Sequence, residues 1–535
     1  MECFISTAII TSILLLPLLL LLVLFKRHRP NQKNPYPNAP SPPGLPFLGH
    51  IYYLLKTPIH RALAHISDLH GPILLLRFGS RRVLLVSSYS GAEECLTVND
   101  ITFANRPRLL AGKYLGYNYS TLSWASYGPH WRNLRRIATM QVLSTHRLLS
   151  SSHLRSDEVL SLVKVLLRDY SGPGFHLAEL RTKFFALSYN IVMRMIANKR
   201  YYGDADESSS EAGREFRDLA KETFSGSATS NAADLFPVVR WLGIGGQERR
   251  LKRLRKIRDR FFQHLVNDHR NKRECGSRGE EGSPAEKSTV IDVLLSLQEG
   301  DPDYYDDDMI KGFITQMLIA GTDTTLLTIE WIMSLLLNNP HILKRVREEL
   351  DANIRLGSFL EEADFSKLPY LHAVINEALR MYPVGPILVP HESSQDCTIN
   401  GFYVPSGTVL LVNVWKMHRD PELWDEPNKC KPERFLKGSD GSYEVINEGF
   451  KMMPFGLGRR RCPGEVLAMR VVALVVGTLV HCFEWERVGD EVVDMSEGLN
   501  LTLTKAKPLE AMYKPREFIV GSLIDHLPVL TVGSA

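Results

Sequence analysis

One short loop and the segment behind it constrain this chain more than anything else in it. The loop is Phe455-Gly456-Leu457-Gly458-Arg459-Arg460-Arg461-Cys462-Pro463-Gly464. Two glycines make the approach to the cysteine compact, and Gly464 lets backbone come close behind it. Val466 to Val480 is then apolar nearly all round, which predicts a helix buried on every side. A fold built on such a helix carries the cysteine at its N-terminus into the interior. The helix terminus and the neighbouring arginines both favour thiolate over thiol. An inert, packed cysteine needs neither a glycine hinge nor three arginines, so Cys462 reads as a working thiolate.

A second long helix is predicted from Asp306 or Asp307, either of which can cap it, to Asn338-Asn339-Pro340, which ends it. About 30 residues at 1.5 Å each give roughly 45 Å, enough to cross a domain. Inside it lies Ala320-Gly321-Thr322-Asp323-Thr324-Thr325. A glycine and several threonines lower helix propensity there, and a carboxylate in an apolar run needs a partner or a task. Elsewhere, Ile73 to Phe78 and Val83 to Val86 flank Gly79-Ser80 as a β-hairpin. Leu251, Leu254, Ile257, Phe261 and Leu265 form one helical stripe. The opposite face carries Arg249, Arg250, Lys252, Arg253, Arg255, Lys256, Arg258 and Arg260 and is read as solvated, with anionic lipid headgroups as the sharper option. Glu274 to Thr289, rich in Gly, Ser and Glu, reads as a loop.

At the N-terminus, Ala8 to Phe25 is apolar except for Thr11 and Ser12, and Lys26, Arg27, His28 and Arg29 follow at once. Eighteen residues span about 27 Å, close to a bilayer core. The run has no basic segment before it and no small-residue cleavage site, so it reads as an uncleaved anchor. The positive-inside rule puts the rest in the cytoplasm. Seven prolines between Pro30 and Pro46 make a semi-rigid spacer. The expected organisation is residues 1–25 as anchor, 26–46 as basic stop and hinge, and 47–535 as one domain, although 535 residues is long for one. Lys+Arg 64 against Asp+Glu 60 leaves only +4, which excludes a dedicated nucleic-acid binder. Seven scattered cysteines without a C-x-x-C pair give neither a disulfide framework nor a structural zinc site. No phosphate-binding or dinucleotide fingerprint occurs.

The pattern F-x-x-G-x-R-x-C-x-G, met by Phe455, Gly458, Arg460, Cys462 and Gly464, resembles the haem loop of the cytochrome P450 family. Further motifs follow the same family. Ala320 to Thr325 resembles its A/G-G-x-D/E-T-T stretch. Glu377-Ala378-Leu379-Arg380 and Pro432-Glu433-Arg434-Phe435 resemble its buried Glu-Arg-Arg triad. Trp131 and Arg135 resemble its W-x-x-x-R helix. Asn413 to Pro421 resembles the plant N-x-W-A-x-x-R-D-P motif, with Lys416 in place of Ala. Arg461 is a second departure, at a position more often small or apolar.

The resemblance implies a mainly α fold with small β-sheets, preceded by one transmembrane helix and holding haem b. It implies Cys462 as the iron ligand, Asp323 and Thr324 as a proton relay to dioxygen, and Trp131, Arg135, His391, Phe455 and Arg460 as haem-contacting residues. It implies electrons from a membrane-bound NADPH–cytochrome reductase, with Arg132, Arg136 and Arg459 on the docking face, and residence on the endoplasmic reticulum membrane. The wording of the motifs resembles plant A-type enzymes, in the group containing isoflavone hydroxylases and enzymes that couple phenols or close methylenedioxy bridges. The implied substrate is a small aromatic or phenolic, and the implied reaction is hydroxylation. Oxidative coupling or ring closure, for example benzophenone to xanthone, stays open, as do a reductase-independent haem isomerase or dehydratase and a non-catalytic haem protein. By family position the pocket draws on Arg108 to Leu122, Val384 to Leu388 and Leu501 to Leu503, with Tyr114, Tyr117, Tyr119, Ile387 and Leu388 as its wall.

Overall fold

A computed structural model describes residues 35–55, 58–203, 232–241, 246–276, 289–438, 444–445 and 451–519. The expected anchor and the basic stop lie outside the described residues. The described end of the proline spacer rests on the domain: Pro37 O accepts from Tyr403 N at 2.8 Å and Pro40 O from Leu75 N at 2.9 Å.

The longer helices are α1 (Ile59–His70), α2 (Pro129–Arg136), α3 (Ser152–Asp169), α4 (Arg181–Ala197), α5 (Gln247–Gly276), α6 (Val290–Gly300), α7 (Asp307–Asn338), α8 (Pro340–Asn353), α9 (Pro369–Met381) and α10 (Glu465–Cys482). The predicted hairpin forms as β1 (Ile73–Phe78) and β2 (Arg81–Val86). Later strands are β3 (His176–Glu179), β4 (His391–Glu392), β5 (Cys397–Ile399), β6 (Phe402–Val404), β7 (Val409–Val412), β8 (Leu436–Lys437), β9 (Glu444–Val445), β10 (Phe483–Glu486) and β11 (Glu510–Pro515). The four-stranded sheet has the order β1-β2-β7-β4, with β2 and β7 parallel, and the three-stranded sheet the order β10-β11-β3. The structure is therefore mainly α with small sheets, as expected.

Helix α7 begins where Asp306 accepts from Met309 N at 2.7 Å and ends before Pro340, which cannot donate to a continuing helix. Its C-terminal half joins α3, α4, α8, α9 and α10 in the main core, while its N-terminal half joins α4, α5 and α6 in a second one. Helix α10 has the length and apolarity to cross a membrane, yet Val471 to Cys482 is buried in protein. The apolar run fills the interior as its composition predicts. Of the Glu274–Thr289 loop, Glu274–Gly276 continue α5, Thr289 caps α6, and the rest lies outside the described residues.

Glu377 and Arg380 are fully buried on α9. Arg380 donates from Nε and Nη2 to the two carboxylate oxygens at 2.7 and 2.8 Å. Arg434 Nε reaches the same carboxylate at 3.2 Å, and Lys431 N adds a bond of 2.8 Å. The predicted triad is assembled. Glu377→Gln would leave two buried guanidiniums short of a counter-charge, which costs roughly 3–5 kcal/mol. Urea unfolding followed by far-ultraviolet circular dichroism should show a loss of that size, and a change below about 1 kcal/mol would mean the triad is not a structural lock.

Candidate active site

The cysteine loop is built from turns. Cys462 N donates to Phe455 O at 2.9 Å and Arg461 N to Gly458 O at 3.1 Å. Gly458 has φ +69°, and a Cβ there would lie 2.3 Å from Leu96 O, so only glycine fits. The loop is pinned to the preceding segment by Asp100, which accepts from Arg459 N at 3.1 Å and pairs with Arg459 Nε at 3.2 Å. Arg461 makes a two-pronged pair with Glu465, both bonds 2.7 Å, across the first turn of α10. That pair gives this unusual arginine a local role. Lys416 has one too, an ion pair with Asp68 of α1.

Cys462 is exposed although its loop lies within the fold. Its sulfur is reachable yet surrounded by protein. Burial therefore pushes the thiol above its ordinary value, against the Gly464 N–H and the charges of Arg135 and Arg461. The Gly464 N–H and the two arginine charges act toward the thiolate, as the sequence reading has it, while desolvation acts the other way. A bound cation supplies what they do not, because a coordinating thiol is deprotonated outright.

Helix α7 packs against α10, the helix that follows Cys462, and carries the second group of expected residues in its middle. Ala320 and Thr324, one turn apart, are exposed within an otherwise largely buried helix. Thr324 Oγ1 donates to Ala320 O at 2.7 Å, and Thr322, Thr325 and Thr328 back-bond in the same way. Among the described residues Asp323 has one side-chain hydrogen bond, from Thr502 Oγ1 at 3.4 Å. Burial lifts its carboxyl above the usual range, with Thr502 and the Arg181 charge opposing and Glu330 adding to the rise. Thr502 entered the sequence reading only as pocket wall, since nothing in the pattern links it to a residue 179 positions earlier.

A ring of donors completes the site. The Arg460 guanidinium lies 4.4 Å from the Trp131 ring centroid. It donates to Ala104 O at 2.7 Å, Leu122 O at 3.1 Å and Ala125 O at 2.5 Å. Trp131 Nε1 shares Leu122 O at 3.1 Å. Arg135 Nη1 donates to Arg461 O at 2.6 Å. His391 is buried on β4, with Nδ1 2.8 Å from Phe103 O. Burial first, and then the Arg106 charge, holds its imidazole well below the ordinary value. Arg106 escaped the sequence reading. It is buried, donates to Val389 O and Pro390 O at 2.7 Å each, and leaves Nε unpaired. Burial and the Arg460 charge press it down to about 9, and burial and the Arg135 charge press Arg460 to about 10. Phe455 packs at the edge of the main core. Two expected wall residues are engaged elsewhere: the Tyr114 hydroxyl bonds Glu248 and that of Tyr117 reaches Asp259 at 3.3 Å.

A sulfur ligand beside mutually repelling guanidiniums suits a flat iron macrocycle with carboxylate tails. With the acid–threonine pair on α7, these residue types fit a haem-thiolate oxygenase site. The family model Cytochrome P450 matches residues 39–512. The chain is 48% identical to isoflavone 3'-hydroxylase of Medicago truncatula, over 89% of this chain and 92% of the relative. It is 46% identical to a (+)-piperitol/(+)-sesamin synthase of Sesamum radiatum, over 90% and 91%. Among solved structures, a zebra fish cytochrome P450 with abiraterone superposes with a TM-score of 0.69 at 25% identity, covering 86% of this chain and 100% of that one. The chain belongs to the cytochrome P450 family and is an oxidoreductase of the monooxygenase type, similar to a plant group that includes isoflavone hydroxylases. Its cofactor is haem b with a cysteine thiolate on the iron, and the family works with dioxygen and an electron-donating reductase.

Proposed function

We propose that this chain hydroxylates a plant phenolic, using dioxygen and electrons from an NADPH–cytochrome reductase. The observation that carries the reading is the complete constellation of Cys462, Asp323 and Thr324 in a chain 48% identical to an isoflavone hydroxylase. In this reading Cys462 would hold the haem iron through its thiolate. Trp131, Arg135, His391 and Arg460 would hold the haem carboxylates, and Phe455 would pack beside the sulfur. When bound, the haem supplies oxygen activation and transfer to carbon. The chain's own part is positional and protic. Asp323, whose burial favours its acid form, and the Thr324 hydroxyl carry protons from the interior face of α7 into the cavity. The apolar N-terminal run anchors residues 47–535, through the 26–46 hinge, to the cytosolic face of the endoplasmic reticulum.

Similarity to the Sesamum radiatum synthase, 46% identical, favours a second reading, bridge or ring closure on a phenolic at the same site. Turnover of a phenolic substrate under ¹⁸O₂ in microsomes with reductase separates the two. The expected product carries one labelled oxygen. An unlabelled product two hydrogens lighter than the substrate would replace hydroxylation by closure.

Cys462→Ser should remove the carbon-monoxide band diagnostic of thiolate ligation, read on the reduced protein. Retention of the band would move the ligand elsewhere. Arg132 and Arg136 are exposed on α2 beside the donor ring and suit the reductase-docking face. Arg459, paired with Asp100, offers less free charge than its sequence position suggested. Electrostatic docking is weakened by salt. Arg136→Glu should therefore raise several-fold the reductase concentration giving half-maximal turnover, with the difference shrinking at high salt. An unchanged value with intact haem would remove Arg136 from the interface.

A further inference from the structure

Between β10 and β11 the chain runs along α7, and the bonds it makes fall on one face of that helix. Asn338 and Val493 exchange two, Nδ2 to O at 3.0 Å and N to Oδ1 at 2.8 Å. Trp331 Nε1 donates to Leu503 O at 2.7 Å, and Glu330 Oε1 accepts from Leu509 N at 2.9 Å. Asp323 Oδ2 accepts from Thr502 Oγ1 at 3.4 Å. Glu330, Trp331 and Asn338 follow Asp323 by seven, eight and fifteen residues, and a period of 3.6 lays all four in one stripe.

The same segment is fixed on its other sides. Arg181 of α4 donates from Nε to both oxygens of Glu330, at 3.0 and 3.1 Å, and from Nη2 to Lys505 O at 3.0 Å. Glu497 accepts from Arg61 of α1 at 2.6 and 3.0 Å, and His60 Nε2 lies 2.8 Å from its carboxylate. Leu503 N donates to Val384 O at 2.9 Å. Within the segment Glu497 and Lys505 bridge antiparallel, with Gly498 N on Thr504 O at 2.8 Å and Ala506 N on Ser496 O at 2.9 Å. Thr502 therefore cannot slide along α7. Three of the contacts on the stripe have ordinary bonding distances. The fourth, to Asp323, is longer than a usual O–H···O bond, so the register is set elsewhere and the carboxyl keeps room to move.

We infer that Thr502 is a positioning residue for Asp323: its hydroxyl, delivered in fixed register by the segment, holds the ionised carboxylate between proton deliveries and loosens its hold when the acid is protonated. The difference between the two states follows from charge. A hydroxyl bonds an ionised oxygen roughly twice as strongly as a neutral one. Besides burial, the charges acting on Asp323 are Arg181 of α4, toward the carboxylate, and Glu330 of α7, toward the acid. Those two are paired with each other, which leaves the Thr502 hydroxyl as the direct contact that tells one protonation state from the other. This assignment deepens the relay proposed above and rests on it for what the acid does.

Infrared difference titration of the full-length holoprotein in lipid nanodiscs tests it, with Asp323→Asn identifying the carboxyl band. Thr502→Val keeps the side chain's shape and removes the donor to the ionised form. Its protonated-carboxyl band should persist to higher pH than in wild type, and Thr502→Ser should bring it back. In turnover of an isoflavone, Thr502→Val should give several-fold less product per NADPH and correspondingly more hydrogen peroxide, with isoflavone affinity, read from the haem spectrum, unchanged. A band that titrates alike in wild type and Thr502→Val overturns the assignment, and so does a shift that Thr502→Ser does not reverse. Failure of both Thr502→Val and Thr502→Ala to fold with haem overturns it as well, because the threonine would then be structural. A shifted band in Thr502→Val beside an Asp323→Asn enzyme that wastes no more NADPH than wild type keeps the assignment and removes the relay. An unmoved band beside a wasteful Asp323→Asn enzyme does the reverse.

Discussion

The architecture around the cysteine depends on one buried carboxylate. Glu377 lies in the core with no exposed surface, and it collects Arg380, Arg434 and the Lys431 N–H. Arg380 passes the constraint on, donating to His418 O at 2.7 Å and Pro427 O at 2.9 Å. Burial, then the Arg380 charge, pushes the His418 imidazole down to about 3. It is thus neutral at physiological pH and has a lone pair free to accept. Its Nε2 accepts from Met453 N at 3.1 Å, and Met453 O accepts from Gly456 N at 3.0 Å. A continuous run of bonds therefore leads from the carboxylate on α9 to the first glycine of the cysteine loop. The charge fixes where the sulfur stands without touching it.

Helix α7 serves two incompatible demands by dividing them along its length. Its C-terminal half is core, buried from Thr325 to Leu337. Its middle must expose polar atoms inside the protein. Thr324 manages this by bonding a carbonyl of its own helix, so its hydroxyl is satisfied while the residue stays exposed. Gly321 lets α4 approach, since a Cβ there would lie 2.9 Å from Val192 Cγ2. Asp323 is the member that local bonding does not satisfy. Its environment comes from elsewhere, from Thr502 and, at longer range, from Arg181 and the Glu330 carboxylate two turns on.

What the sequence made legible were features with local grammar. The hairpin β1–β2, the cap and the proline stop of α7, the apolar α10 and the cysteine loop each declare themselves within a few tens of residues. The triad was legible only through resemblance, because an i,i+3 pair alone is commonplace. What stayed hidden depends on distant partners. The Tyr114 and Tyr117 hydroxyls look available in the sequence, yet they end on Glu248 and Asp259, more than a hundred residues later. Arg459 looks free and is held by Asp100. Arg258 shows the limit of periodicity: read with the solvated basic face, it is 4% exposed on α5. A helix lined with so much positive charge offers no sign of which arginine turns inward, and Leu254 and Phe262 mark the inner stripe only once the neighbouring α7 is in place.

The buried charges fall into two kinds, and the difference separates scaffold from site. Glu377 and Arg380 are saturated with short bonds, and a saturated buried pair holds geometry but has nothing left to offer a ligand. Asp323, Arg106, Arg258 and the Cys462 thiol are buried or enclosed and unsaturated. Each carries a proton affinity displaced in the direction that desolvation dictates. Desolvation without compensation lowers the stability of the empty protein. Such a group is retained where an incoming partner returns the cost: iron for the sulfur and, on the function proposed above, haem carboxylates for the donor ring and protons in transit for the acid.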